Sequence, residues 1–260
     1  MRDYQDRVEV GRATASGTDT WLVPVRIPAM ADLPREDGLP ILHGVDLVRR
    51  LGEVLAFDCF DVPPAHHLSI RRIAFRWSGR PLRLPPAGTI GASAFVHVHA
   101  HRERHGHTSA FEASAVLRVG SHEIAHASGA ARCIDPTTYS ALRRGVARVE
   151  RRFDVDPLSD VRRRADRLLA TVGWDSADPL LDARAGELPG LALINASVRA
   201  AHLLRPTRTV AGVSLTVERF VDGSPRPTVY ATAATDEVEV SVLQNRTVAA
   251  RCVVRLAPVR

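Results

Sequence analysis

The chain has 260 residues, 45% hydrophobic and 25% charged, which is enough apolar material for one large folded domain or two of ordinary size and too much for a disordered segment. Its opening, "MRDYQDRVEV", is charged and lacks an apolar core, and no run approaches roughly 18 uninterrupted apolar residues, so neither a secretory leader nor a membrane span is expected and the expected location is the cytoplasm. The formal net charge is +6 with no lysine in the chain; all 35 basic residues counted in it are arginine, a side chain suited to two-pronged capture of phosphate or carboxylate.

In chain order, two extended runs come first, "RVEVGRA" and "TWLVPVRI", joined across Ser16-Gly17. "LPILHGVDLVRR" follows, with Pro40 at a first helical position and apolar residues at helical spacing, and reads as an amphipathic helix. Four strand-like runs come next: "HLSIRRIAFRW", "SAFVHVHAHR", "TSAFEASAVLRV" and "HEIAHASGAARC". A polar stretch near 136 to 170 is expected to form a helical linker. Its basic run "VRRRADR" (161 to 167) has no interleaved stacking residues, and with aromatics at only 5% a nucleic-acid surface is not expected.

The second half repeats the first. "LPGLALINASVR" reads as a helix that stops before Pro206, and "AGVSLTVERFV", "TVYATAAT", "EVEVSVLQ" and "TVAARCVVRL" read as strands. The two helices align without gaps: Pro40 with Pro189, Asp46 with Asn195 and Arg50 with Arg199, where 189 − 40, 195 − 46 and 199 − 50 each give 149. Both halves also end a strand with "AARC". The expected fold is α+β, one long helix against an antiparallel sheet, twice. Its expected parts are residues 1–135, a helical linker over 136–170 and residues 171–260. The three cysteines, Cys59, Cys133 and Cys252, are odd in number and far apart, which suits buried, reduced thiols.

Two histidine patterns resemble metal sites. "SHEIAHASGAAR" has His122, Glu123 and His126 in the order of zinc peptidases, but two histidines four apart converge on one ion only on a helix. The segment lacks a helical period, Gly120-Ser121 reads as a turn, and Arg132 stands where a third ligand would fall. It is expected to be a strand with His122 and His126 on one face. In "FVHVHAHR", alternation puts Val96, Val98 and Ala100 inward and His97, His99 and His101 outward. No metal and no organic cofactor is expected.

On the first helix, Asp46, Arg49, Arg50 and Glu53 form an i, i+3, i+4, i+7 stripe opposite Ile41, Leu42, Val45, Val48 and Leu55. Spacing alone leaves two readings open: a solvated face, or a polar site.

The repeated helix-on-sheet pattern resembles the hotdog fold, and the local sequence resembles the AfsA (A-factor biosynthesis) hotdog family. "GLPILHGVDLVRR" with "FDVP" is similar to that family's first-half pattern, with Asp46 at its glutamate, Arg49 at its arginine and Arg50 at its glutamine. "CIDPTTYSALR" places Tyr139 and Arg143 like the segment after its first hotdog. "LDARAGELPGLALINASVR" is similar to its second-half pattern, with departures: Asn195 replaces a glutamate, Glu187 a histidine, Gly186 an aspartate and Val198 an arginine, with Arg199 one residue on. The resemblance implies a tandem hotdog packed as an intramolecular pseudo-dimer. It also implies transfer of a β-ketoacyl group from acyl carrier protein, or CoA, to dihydroxyacetone phosphate on the way to a γ-butyrolactone signal. Asp46 would be the base, backbone N–H groups at a helix N-terminus the oxyanion donors, and Arg49 or Arg199 the phosphate ligand, with Arg50 also binding substrate and Asn195 in the second catalytic position. The alternatives are another hotdog thioester enzyme, a dehydratase or thioesterase, or a non-catalytic acyl-binding module.

Overall fold

The computed structural model describes residues 8–28, 40–79, 88–104, 106–144, 156–173 and 188–258. The chain forms two compact units, Met1–Leu142 and Arg143–Arg260.

The first unit contains β1 (Glu9–Val10), β2 (Thr14–Gly17) and β3 (Thr20–Pro28), then helix α1 (Ile41–Val54), which widens into a π-helical turn over Leu55–Cys59. β4 (His67–Trp77), β5 (Thr89–Arg104), β6 (His107–Val119), β7 (His122–Ile134) and the short α2 (Pro136–Leu142) complete it. Its strands are antiparallel in the order β1-β3-β5-β6-β7-β4, with β2 folded onto β3. Period-2 alternation decides which face is buried: in β3, Val23, Val25 and Ile27 are buried while Pro24 and Arg26 are exposed.

The second unit has β8 (Leu158–Arg164), β9 (Arg167–Val172), α3 (Gly190–Leu204), β10 (Arg208–Val217), β11 (Thr228–Ala233), β12 (Glu237–Gln244) and β13 (Thr247–Pro258). Its antiparallel order is β10-β13-β12-β11-β9-β8. Strand for strand this repeats the first unit, with β9, α3, β10, β11, β12 and β13 in the places of β3, α1, β4, β5, β6 and β7. The helices begin 149 residues apart, as 190 − 41 shows. Pro40 and Pro189 are the residues just before each helix, with ψ of 144° at both, one position earlier than the sequence places them. Each offers its carbonyl to the first turn, Pro40 to the N–H of His43 and Pro189 to that of Ala192.

Several expectations fail here for local reasons. The expected helical linker over 136–170 is corrected by strands: among the described residues there only α2 is helical, 145–155 lie outside the described residues, and 158–172 form the β8–β9 hairpin. Its turn holds Ala165 at a φ of 49°, and alternation buries Leu168, Ala170 and Val172 against exposed Arg167 and Leu169. "VRRRADR" is therefore a strand and turn. The two "AARC" runs are not equivalent, since Cys133 pairs with Leu68 near the start of β4 and Cys252 with Leu215 near the end of β10.

"HEIAHASG" is a strand, entered through a turn at Gly120-Ser121 where Gly120 has a φ of 57°. The register with β6 slips between Leu117 and Arg118, so that Ala125 and then Glu123 are the paired residues. This bulge puts Glu123, not His122, beside His126, with Oε1 2.7 Å from Nε2. A second slip, between Val98 and Ala100, breaks the β5 alternation: Ala100 is exposed and His101 turns to stack on Phe60.

Candidate functional site

Asp46 is 1% exposed, while Arg49, Arg50 and Glu53 on the same face are partly exposed. Burying a carboxylate is costly unless its oxygens are satisfied. Here the helix satisfies them itself: Arg49, three residues on, donates from Nε and Nη2 to Oδ1 at 2.9 and 2.7 Å, and Arg50, four residues on, donates from Nε to Oδ2 at 2.8 Å. Arg49 is further tied by Nη1 to Glu53 Oε1 at 2.5 Å. Burial pushes the Asp46 carboxyl up, but the two guanidiniums outweigh it and hold the group below its ordinary value. Asp46, Arg49 and Arg50 are thus brought together as one charged cluster.

Beside the cluster lies a cavity with about 480 Å³ of space between atoms, part of it open to solvent. Its roof is the C-terminal half of α1, with Val48, Arg49, Leu51, Gly52 and Leu55. Its floor is the inner face of the sheet. There Ala113 pairs with Gly129 and Ala115 with Ala127, so these two rows beneath the helix carry almost no side-chain bulk, while Phe111 pairs with Ala131 in the next row. A register slip in β4 between Ile70 and Arg72 lets Leu68, Ile70 and Ile73 line the same space. Arg49 belongs to both the cavity wall and the charged cluster. The site is therefore an apolar slot with a fixed cation and a buried anion at its edge, a shape suited to an apolar chain ending in a polar head.

The cavity itself was not anticipated. Its signal is compositional: "SAFEASA" and "HASGAAR" are strands of alanine, glycine and serine where bulky residues ordinarily fill a sheet's inner face.

The second unit is built differently. Asn195 is half-buried on α3 and Val198 is buried. Arg199 is engaged with Asp156, Nη2 to Oδ2 at 2.9 Å and Nε to Oδ1 at 3.3 Å, and that hydrogen bond holds the Asp156 carboxyl low. Ser197 donates to the Leu193 carbonyl at 2.7 Å, and nearby Cys252 is a free thiol that burial pushes up to about 12. Cys133 is pushed up to about 11 in the same way, and burial, with Asp58 and Asp61, raises Cys59; protonated thiols of this kind are weak nucleophiles.

Tyr139 stacks on His67 at 4.0 Å in the first unit; Arg143 pairs with Asp222 at 2.6 Å and lies over Phe220 in the second. Gly186 and Glu187 lie outside the described residues. Among the described residues no group of three or more potential metal ligands gathers, and no helix is long and apolar enough to cross a membrane.

No protein-family model matches the chain, and no curated protein matches it. Solved structures do. A Lactobacillus plantarum protein assigned as an oleoyl thioesterase superposes with a TM-score of 0.58 at 10% identity, over 92% of this chain and 97% of its own. The 12:0-ACP thioesterase of Umbellularia californica gives 0.55 at 10% identity, over 91% and 98%. The dehydratase domain of the CurF module of curacin polyketide synthase gives 0.54 at 12% identity, over 96% and 98%. At such identities the likeness establishes the fold: the chain has a hotdog-like fold.

Proposed function

We propose that the chain acts on an acyl thioester held in the first unit's cavity, transferring a β-ketoacyl group from acyl carrier protein or CoA to a hydroxyl of dihydroxyacetone phosphate, the AfsA-like reaction. The observation that carries this reading is the apolar slot walled by Arg49, which is itself bonded to the buried carboxylate of Asp46. The hotdog neighbours, two thioesterases and a polyketide dehydratase, support an acyl thioester as the substrate class. The repeated topology supports two hotdog repeats in one chain, pairing as an intramolecular pseudo-dimer.

The cluster supports one order of steps. Oδ1 of Asp46 is held by two N–H groups of Arg49, whereas Oδ2 receives one bond from Arg50, so Oδ2 is the oxygen freed at the lower cost. The acceptor hydroxyl takes Arg50's place there and gives its proton to Oδ2 as its oxygen attacks the thioester carbonyl. Arg49 stabilises the oxyanion. The C–S bond then breaks, and the thiolate leaves with the proton from Asp46. Arg50, displaced from the carboxylate, takes the phosphate. Asn195 and Arg199 occupy the matching helix positions in the second unit, where an amide replaces the base.

Incubating the purified protein with a β-ketoacyl-CoA and dihydroxyacetone phosphate, followed by mass spectrometry, tests the reading. The expected product is the phosphorylated β-ketoacyl ester. Free β-keto acid instead would make the protein a thioesterase, the activity named for two of its structural neighbours. Bound thioester without turnover would make it the acyl-binding module that Asn195 and Val198 favour.

A further inference from the structure

The cavity runs along α1 and the sheet from Arg49 towards Leu55 and Phe111. Arg49 marks the polar end, and Leu55, six residues on along α1, lies about 9 Å further by helical rise. On the floor the same direction runs from the Ala115 row to the Phe111 row, roughly 13 Å by strand rise. Phe111 is 4% exposed and is the large side chain among small ones on β6 and β7 at that level.

Its ring is held from behind. Phe60 lies 5.4 Å from Phe111, stacks on His101 at 4.5 Å and meets Trp21 edge-on at 5.8 Å. His101 Nε2 lies 2.7 Å from Oγ1 of the buried Thr108. Phe60 is also bonded to the cavity's other end wall, since its N–H closes the π-turn on the Leu55 carbonyl at 3.0 Å. The β5 bulge and the π-turn, two local departures from regular structure, accompany the stacking of His101 on Phe60 and the contact of Phe60 with Phe111.

We infer that Phe111, backed by Phe60 and His101, is the gauge that limits the length of the apolar chain the cavity accepts. Phe60 is a positioning residue: it reaches the occupant only through Phe111 and Leu55. The inference rests on the acyl reading of the cavity and adds which residue sets the chain length.

Calorimetric titration with S-alkyl-coenzyme A thioethers bearing hexyl, decyl or hexadecyl chains tests it, because thioethers bind without turnover. The unaltered protein is expected to bind the hexadecyl compound about tenfold or more weakly than its best shorter ligand. Phe111→Leu should remove most of that difference, and Phe60→Leu, which leaves Phe111 in place, should remove part of it. Gain of hexadecyl binding in either variant supports the gauge even if the other does not fold. Unchanged length profiles in the folded variants, or a hexadecyl chain bound as tightly as the shorter ones by the unaltered protein, overturn the gauge and leave the acyl reading standing. Failure of the unaltered protein to bind any of the three overturns the acyl reading, and the gauge with it.

Discussion

The two units share one topology and differ in how the sheet beneath the helix is filled. In the second unit the helix buries Leu191, Leu193, Ile194, Val198 and Leu204 beside its alanines, and the sheet is filled by Val238, Val240, Val242, Cys252 and Val254. In the first unit the helix carries Leu47, Val48, Leu51 and Leu55, while the floor is Ala113, Ala115, Ala127, Gly129 and Ala131. Either arrangement can supply a core, but the first leaves space under the helix. The charged cluster occurs in that unit alone: Asp46 and Arg49 correspond to Asn195 and Val198. A duplicated fold thus keeps its frame in both copies, while the pairing of Asp46 with Arg49 belongs to the first.

The largest effect should come from removing the charge that separates the copies. Asp46→Asn makes α1 match α3 at that position and abolishes the base, so acyl transfer should fall by about a hundredfold or more. The fold should survive, at a cost of about 1–3 kcal/mol for leaving two guanidiniums facing an amide. Turnover equal to that of the unaltered protein, measured by ester formation, would remove Asp46 from the mechanism.

The filled unit should answer to packing and not to chemistry. Leu193 is 1% exposed at the α3 position matching Gly44, and Leu193→Ala should cost about 2–5 kcal/mol in urea unfolding. Thioether binding at the first unit's cavity should stay unchanged. Loss of that binding in a folded Leu193→Ala protein would show that the second unit is more than frame.

Gly44 tests the same position from the other side. A Cβ there would lie 2.5 Å from the Phe75 ring, and Phe75 is buried and has little room to retreat. Gly44→Ala should therefore cost about 1–3 kcal/mol despite alanine's better helix propensity. A neutral result would mean the α1–β4 contact relaxes readily.

The pH dependence of stability should also differ between unaltered and Asp46→Asn proteins. The Asp46 carboxyl titrates lower in the folded chain than its ordinary value of 3.8. Its ion pairs therefore stabilise fully above that value and are lost as the pH falls through the lower folded one. Urea midpoints should differ at about pH 7 and converge towards about pH 2. A gap that stays constant over that range would mean the carboxylate is not held ionised by Arg49 and Arg50.

The repeat, both helices and most strands were legible because their signals are local: proline before an apolar period, and alternation between turns. What escaped depends on register. One inserted residue reverses which side of a strand faces inward, and the bulges near His99 and Ile124 therefore moved His101 and Glu123 to places that alternation denies them. The β8–β9 hairpin was hidden by its arginines, which make residues 161–167 look solvated while Leu168, Ala170 and Val172 anchor it. At the site, the Asp46, Arg49 and Arg50 stripe was visible as spacing, but its burial depends on what packs over α1 and could not be read from the helix itself. The cavity was hard to read because no single residue announces it: the shortage of side-chain volume is shared between the adjacent strands β6 and β7 and becomes a cavity only when α1 packs across them.

The smallest expected effect compares the two helices at a single methyl group. Gly52 matches Ala201, since 201 − 52 is again 149. Nothing lies within 4 Å of a Cβ built at Gly52, in contrast to Gly44 on the same helix. Glycine within a helix costs about 0.5–1 kcal/mol relative to alanine, because the unfolded chain gains freedom that folding must then remove. Gly52→Ala should accordingly raise stability by about that amount, the opposite sign to Gly44→Ala. Gly52 also lines the cavity, so its methyl group should weaken thioether binding by no more than a few-fold while making α1 more like α3. Stability gained with binding nearly intact would show that the cavity has room to spare beside Arg49, whereas binding lost by far more than a few-fold would show that the glycine keeps that room. Stability lost would mean that the space next to Gly52 is already filled.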